Sequence, residues 1–301
     1  MKILLVQLIL LFSSAACQTV NIAPLYTIDK PADSLNFNQP QGLSIDSNGH
    51  LYISDTKNHR ILKMDQQGNI LSKVGGIGWL KNQFQNPMGL YVFNTMNVFV
   101  ADHDNHRIVR FDKNLNWITE LSPEYHWDDR FSFSFPMDIF TSFYGDYFII
   151  DAENRGIIKL DSGFSPVLTF GGYDWGKGAL SRPVSIFLSN NDNVFVSDYK
   201  AGRIFVYDYY GNYLYNFGKN ILKHPLGLFI DSNNRIYATD EFHHSLYIFD
   251  EEGRMLIKFG TQGNKLGAFN APSDVVVFNN KLFVLESLNN RIQVLSIVFS
   301  Q

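Results

Sequence analysis

One pattern of residues recurs six times along this chain. Its second copy reads Phe84-Gln-Asn-Pro87-Met-Gly89-Leu90, then Val98-Phe-Val-Ala-Asp102 and Asn105-His106-Arg107-Ile108. Its first copy reads Phe37-Asn-Gln-Pro40-Gln-Gly42-Leu43, then Leu51-Tyr-Ile-Ser-Asp55 and Asn58-His59-Arg60-Ile61. The copies are anchored by Pro40, Pro87, Pro136, Pro183, Pro225 and Pro272. A period in the forties, filled with short apolar runs, means one supersecondary unit that buries its faces only by stacking on its neighbours.

Each unit predicts four strands. A proline starts the first, where its missing N–H does no harm. The second is β-branched and aromatic, as in Val194-Phe-Val196 and Leu282-Phe-Val284, and suits a buried pleated surface. It ends in an acid, at Asp55, Asp102, Asp151, Asp198, Asp240 and Glu286. Arg60, Arg107, Arg203 and Arg291 follow five residues later, while the third copy has Arg155 one place early and the fifth has Ser245. A Gly turn such as Tyr210-Gly211-Asn212 then leads into a fourth strand ending in Gly. Six such units predict an all-β, six-bladed propeller with four antiparallel strands per blade. The sixth copy stops after three strands, at Arg291–Leu295. The expectation is that Leu25-Tyr-Thr-Ile28 supplies the missing strand and closes the ring, which removes two open edges at once.

The first residues read as a secretory signal. Lys2 precedes an apolar run, Ile3 to Phe12, too short to cross a bilayer, and Ser13-Ser-Ala-Ala-Cys17 is a small-residue exit. The domains are thus a signal peptide over 1–17 and the propeller over 18–301, and the expected location is extracellular. Lipid attachment would need Cys17, but Ser14 stands where such motifs carry a large aliphatic residue, so simple cleavage is expected. Cys17 is the only cysteine, so no internal disulfide is possible and stability rests on packing. No later run reaches the length of a membrane helix. The net charge of −4, with no basic block, argues against a nucleic-acid surface. A monomer is expected.

The pattern resembles the NHL repeat, whose central letters recur in Asn58-His59-Arg60 and Asn105-His106-Arg107. The resemblance runs from about residue 25 to 295. It implies the propeller fold, while its functions range over RNA binding, protein binding and enzymes. A more distant resemblance is to the secreted peptidyl-hydroxyglycine amidating lyase, which implies an axial zinc held by histidines directly after the strand-one proline. Those positions here are Gln41, Met88, Met137, Val184, Leu226 and Ser273. A lactonase-type hydrolase would need an axial Glu/Asn/Asp cluster.

In an up-and-down blade, the loop between strands two and three shares an end with the interblade loop and with the start of strand one. That end gathers His103, Tyr199, Phe242 and His243 from the first set of loops, and Trp79, Trp127 and Trp175 from the second. These seven are the candidate ligand-binding residues, an aromatic rim around a concave centre. The axial positions are Gly42, Gly89, Asp138, Ser185, Gly227 and Asp274. Asp138 and Asp274 belong to opposite blades, so two carboxylates face one channel and are the candidate metal ligands. Calcium is the ion such oxygens suit; two acids capping backbone N–H groups are the alternative. The repeated acid/Arg pairs and the histidines beside them are expected to build blades rather than to catalyse. The function favoured is therefore a secreted, non-catalytic binding module for a protein, peptide or glycan on the aromatic face. A metal-dependent lyase or hydrolase at the axis is the alternative.

Overall fold

The computed structural model describes residues 19–29, 35–94, 96–122 and 128–300. The signal-peptide reading of 1–17, with Cys17, lies outside them, as does Trp127. Six four-stranded antiparallel sheets form the six blades of a propeller. Blade 1 runs Gly42–Ile45, Leu51–Asp55, Arg60–Met64, Ile70–Gly75, and blade 4 runs Pro183–Leu188, Val194–Asp198, Arg203–Tyr207, Tyr213–Phe217. Helix is limited, among the described residues, to four single 3₁₀ turns.

The core lies in the seams between blades. Tyr52 and Ile61 of blade 1 pack with Val98, Val100 and Val109 of blade 2. Phe148 and Ile150 of blade 3 pack with Ile186 and Val196 of blade 4. Because every blade is covered on both sides, the second strands are buried at all five positions in Leu51–Asp55, Tyr147–Asp151 and Ile236–Asp240. They therefore read as unbroken apolar runs. The fourth strands sit at the perimeter and alternate, as Ile70–Gly75 does.

The ring closes as the sequence suggests, but with a longer strand. Thr19–Ile28 pairs antiparallel with Arg291–Ser300, from Thr19 opposite Ser300 to Ile28 opposite Ile292. A bulge between Pro24 and Tyr26 lets the edge strand carry a proline inside its length.

The recurring acid ties each blade to the loop that enters it. Asp55 accepts from the Asn38 amide, Asp102 from Gln85, Asp240 from Lys223 and His224, and Glu286 from Asn270, in each case just ahead of the anchoring proline. In three blades the arginine completes the tie: Arg60 to Asp55 at 2.7 Å, Arg107 to Asp102 at 2.9 Å and Arg291 to Glu286 at 2.6 Å. In blade 3, Arg155 occupies the left-handed position that His59 and His106 hold in blades 1 and 2, and Gly156 starts the strand. In blade 4, Arg203 Nε reaches only the Ala201 carbonyl, at 3.4 Å. The repeated pairs are thus fasteners of the architecture.

Candidate functional site

The axial channel is narrow because its wall is made of the first strands. All six predicted axial positions, Gly42, Gly89, Asp138, Ser185, Gly227 and Asp274, line it. Asp138 Oδ1 accepts from the Ile139 amide of its own blade, and Oδ2 accepts from the Ile186 amide and Ser185 hydroxyl of the next blade. Asp274 repeats the arrangement, with bonds from Val275 at 2.8 Å and from Leu43 of blade 1 at 2.7 Å. Each carboxylate thus latches its blade to the next one.

Glycine on the preceding blade makes room for the latch. A Cβ at Gly227 would collide with Asp274 Oδ1 and stand 2.5 Å from Asp274 Cα and 2.8 Å from the Ser273 carbonyl. We expect Gly227→Ala to cost about 2–3 kcal/mol through overpacking against backbone. Chemical unfolding would measure it; an unchanged midpoint would show that the axis yields freely.

Burial pushes the Asp138 carboxyl up to about 7, against the downward pull of its backbone and hydroxyl donors. Asp274 is raised well above the usual carboxylate range, first by burial and then by the nearby Asp138 charge. Asp138 accepts three hydrogen bonds from N–H and O–H donors, and Asp274 accepts two from N–H donors. Among the described residues, no three His, Cys, Asp or Glu side chains come together in a way that would hold a metal ion. The donor set therefore does not fit the axial zinc implied by the lyase resemblance, and the post-proline positions carry Met, Val, Leu, Gln and Ser.

Those same positions serve another purpose. Met88, Met137, Val184 and Leu226 form an apolar floor to a central depression of about 410 Å³ at the channel mouth. Two polar clusters from opposite sides of the ring stand over it. On one side, Lys57 donates to Asn86 Oδ1 at 3.1 Å, Asn86 in turn donates to Asp104, and His103 Nδ1 lies 2.5 Å from Asp104. On the other, the Tyr199 hydroxyl donates to Glu241 at 2.8 Å. The Tyr199 ring stacks on His224 with centroids 4.3 Å apart, and the Arg182 guanidinium lies 4.6 Å from its centre. Asp104 is held below the usual carboxylate range by its bonds from His103 and Asn86, which outweigh burial.

The structure brings together only part of the predicted rim. His103 and Tyr199 line the depression. Phe242, 56% exposed, joins its edge through an edge-to-face contact with His224, ring centroids 5.5 Å apart. His243 is tied to Asp240 and to the Tyr247 hydroxyl, a local fastening away from the floor. Trp79 is 79% exposed on the perimeter, its carbonyl held by Arg107. Trp175 lines an outer groove against blade 3, with Arg130 and Asp174. Trp79 and Trp175 therefore stand outside the depression. Sequence reasoning missed Arg182, which sits directly before its anchoring proline; the signal was a cationic residue at a position filled elsewhere by Gln39, Asn86, Phe135, His224 and Ala271.

A family model described as the NHL repeat matches residues 37–64, in blade 1. The chain is a six-bladed propeller with an NHL repeat in its first blade. Solved structures of similar shape include a streptogramin B lyase, 13% identical, with TM-score 0.62 over 93% of this chain and 98% of that one. A catalytically inactive variant of virginiamycin B lyase from Staphylococcus aureus, determined with quinupristin, is 12% identical, with TM-score 0.63 over 93% and 100%. A gluconolactonase from Xanthomonas campestris is 13% identical, with TM-score 0.64 over 93% and 90%. No curated protein matches the chain. At such identities the likeness establishes the propeller fold and leaves this propeller's chemistry to its own residues.

Proposed function

We propose that this propeller is a secreted interaction module that takes a segment of a protein or peptide partner in its central depression. The observation that carries the reading is the pair of clusters facing each other over an apolar floor. Lys57 with Asp104 stands on one side and Arg182 with Glu241 on the other, above Met88 and Met137. Methionines adapt to varied side chains. Tyr199 is fixed in place by Arg182, His224 and Glu241, so little ordering cost remains when it is covered. Tyr and Arg are also the residue types that most often dominate binding energy. Acids and bases on both walls suit the backbone and charged side chains of a peptide. The leader read in residues 1–17 supports work outside the cell, and no helix among the described residues is long and apolar enough to cross a membrane. The lyase and lactonase neighbours raise a catalytic reading of the axis, but the latched Asp138 and Asp274 disfavour it.

The test uses a random dodecapeptide display library, selected on the mature protein. Peptides that bind the wild type should lose at least about tenfold in affinity on Tyr199→Ala, a loss of roughly 1.4 kcal/mol, and keep their affinity on Trp175→Ala. Equal binding to wild type and Tyr199→Ala, or loss on Trp175→Ala alone, would move the site to the outer rim and overturn the reading.

A further inference from the structure

Two hairpin tips on the face opposite the central depression break the repeat in the same way. The turn after the first strand reads Asp46-Ser47-Asn48-Gly49 in blade 1, Ser189-Asn190-Asn191-Asp192 in blade 4 and Asp231-Ser232-Asn233-Asn234 in blade 5. In blade 3 the same turn reads Ser142-Phe143-Tyr144-Gly145. The turn after the third strand reads Asp65-Gln66-Gln67-Gly68 in blade 1 and Asp250-Glu251-Glu252-Gly253 in blade 5, yet Asp208-Tyr209-Tyr210-Gly211 in blade 4. Polar residues hold such tips because they are solvated and bond to the turn backbone. Three of the four rings there lie outside the core, with Phe143 86% exposed, Tyr144 64% and Tyr210 73%, while Tyr209 packs against it beside Phe148.

The two altered tips meet. Ring centroids lie 6.0 Å apart for Phe143 and Tyr144, 5.6 Å for Tyr144 and Tyr209, and 6.0 Å for Tyr209 and Tyr210, each pair edge to face. The contact is pinned, since the Tyr209 hydroxyl donates to Asp146 at 2.7 Å and lies 2.9 Å from Ser142 Oγ. Beside the rings opens a cleft of about 340 Å³, walled by Phe143, Asn94, Ser189, Asn190 and Asp192. Thr141 lines it as well, with a buried hydroxyl that has no hydrogen-bond partner.

We propose that this aromatic platform and its cleft bind a neutral saccharide. Exposed ring faces are electron-rich and attract the polarised C–H groups of a pyranose face. Amide and carboxylate side chains beside them can pair off the sugar hydroxyls, which both donate and accept. The charges exclude other occupants. Among the described residues, no Lys or Arg lines the cleft, so an anionic ligand or an anionic lipid surface finds no counter-charge. The nearby cation, Lys159, is already spent: it lies 3.1 Å from Asp146 and 3.5 Å from the centre of the Tyr209 ring. A quaternary ammonium group would find that ring face taken. The site is independent of the peptide reading of the other face.

The experiment is saturation-transfer NMR and calorimetry of the mature protein with cellohexaose, chitohexaose, mannohexaose and maltohexaose. At least one should bind. Phe143→Ser with Tyr144→Asn, which restores the tip of blade 1, should weaken that binding at least tenfold, while library peptides selected on the opposite face bind as before. The same double variant should unfold at the wild-type temperature, because neither ring is in the core. Binding of none of the four sugars, or equal binding by the double variant, would overturn the proposal. So would phosphatidylcholine/phosphatidylserine vesicles that retain the wild type and release the double variant, since they would assign the rings to a membrane surface.

Discussion

Thermal stability of this protein is expected to fall as pH rises from about 4.5 to 8. Asp138, at about 7 in the fold, and Asp274, raised further, hold protons that the unfolded chain has already released. A carboxyl with a raised folded-state value stabilises the fold fully below its unfolded value near 4 and loses that contribution as pH climbs through the folded one. Asp138 alone moves by about three units, on the order of 4 kcal/mol at roughly 1.4 kcal/mol per unit. The melting temperature should therefore drop by about 10 °C across the window. The two groups line one channel and titrate as a pair, so the slope belongs to both. A second set works on the acid side. Turn acids such as Asp65 and Asp112 lie below the usual range, because side-chain and backbone bonds from Asn69 and Asn116 outweigh burial. Their stabilisation is present above about 4 and is lost below it. The optimum should therefore sit near pH 4 to 5. Thermal unfolding of wild type and of Asp138→Asn/Asp274→Asn across this range is the measurement. The double variant should flatten most of the slope, with a residue left by Asp102, which burial also raises. A wild-type melting temperature that is level or rising between pH 5 and 8 would mean that the axial pair is ionised throughout and the latch is cheap.

The blades were legible because their determinants are local and repeated. A proline, an apolar run and an acid recur in register in all six copies, and each has one physical job in every copy. The six axial positions followed from the same register, and all six line the channel. Closure was legible in kind but not in length. The expected strand begins at Leu25, and the bulge beside Pro24 lets the edge strand continue back to Thr19. The candidate site was harder, because a rim is a circle and the sequence gives no radius. Trp79 and Trp175 share an end with Tyr199 yet stand outside the depression, and which residues reach its floor depends on how far each loop leans inward. The post-proline residues Met88 and Met137 stand where the lyase resemblance would place zinc histidines, and only the convergence of the blades makes them one apolar surface. The aromatic tips Phe143 and Tyr209 belong to different blades, and only blade packing brings those turns together.

The same repeat position should give two different results in blades 2 and 4. Arg107→Ala is expected to cost about 3–5 kcal/mol, the usual penalty for stranding a buried charge. Arg107 donates to the fully buried Asp102 at 2.9 Å, and it also reaches the Trp79, Leu80 and Gln83 carbonyls of the interblade loop and Glu120. Its loss leaves one carboxylate short of its cation and three loop carbonyls short of a donor. Arg203→Ala should cost no more than about 1 kcal/mol, near the value of one modest hydrogen bond. Arg203 makes only long bonds, 3.4 Å to the Ala201 carbonyl and 3.4 Å to Asn216. Its blade's acid, Asp198, is satisfied without it by the Ser181, Arg182 and Ala201 amides. Urea unfolding of the two variants side by side makes the comparison, with the slope of each transition confirming that the same surface is exposed. Equal losses would mean that the arginine acts through its place in the repeat. A large loss for Arg107→Ala alone would mean that each blade is fastened by its own set of bonds, and that the motif marks where a fastener sits without setting its strength.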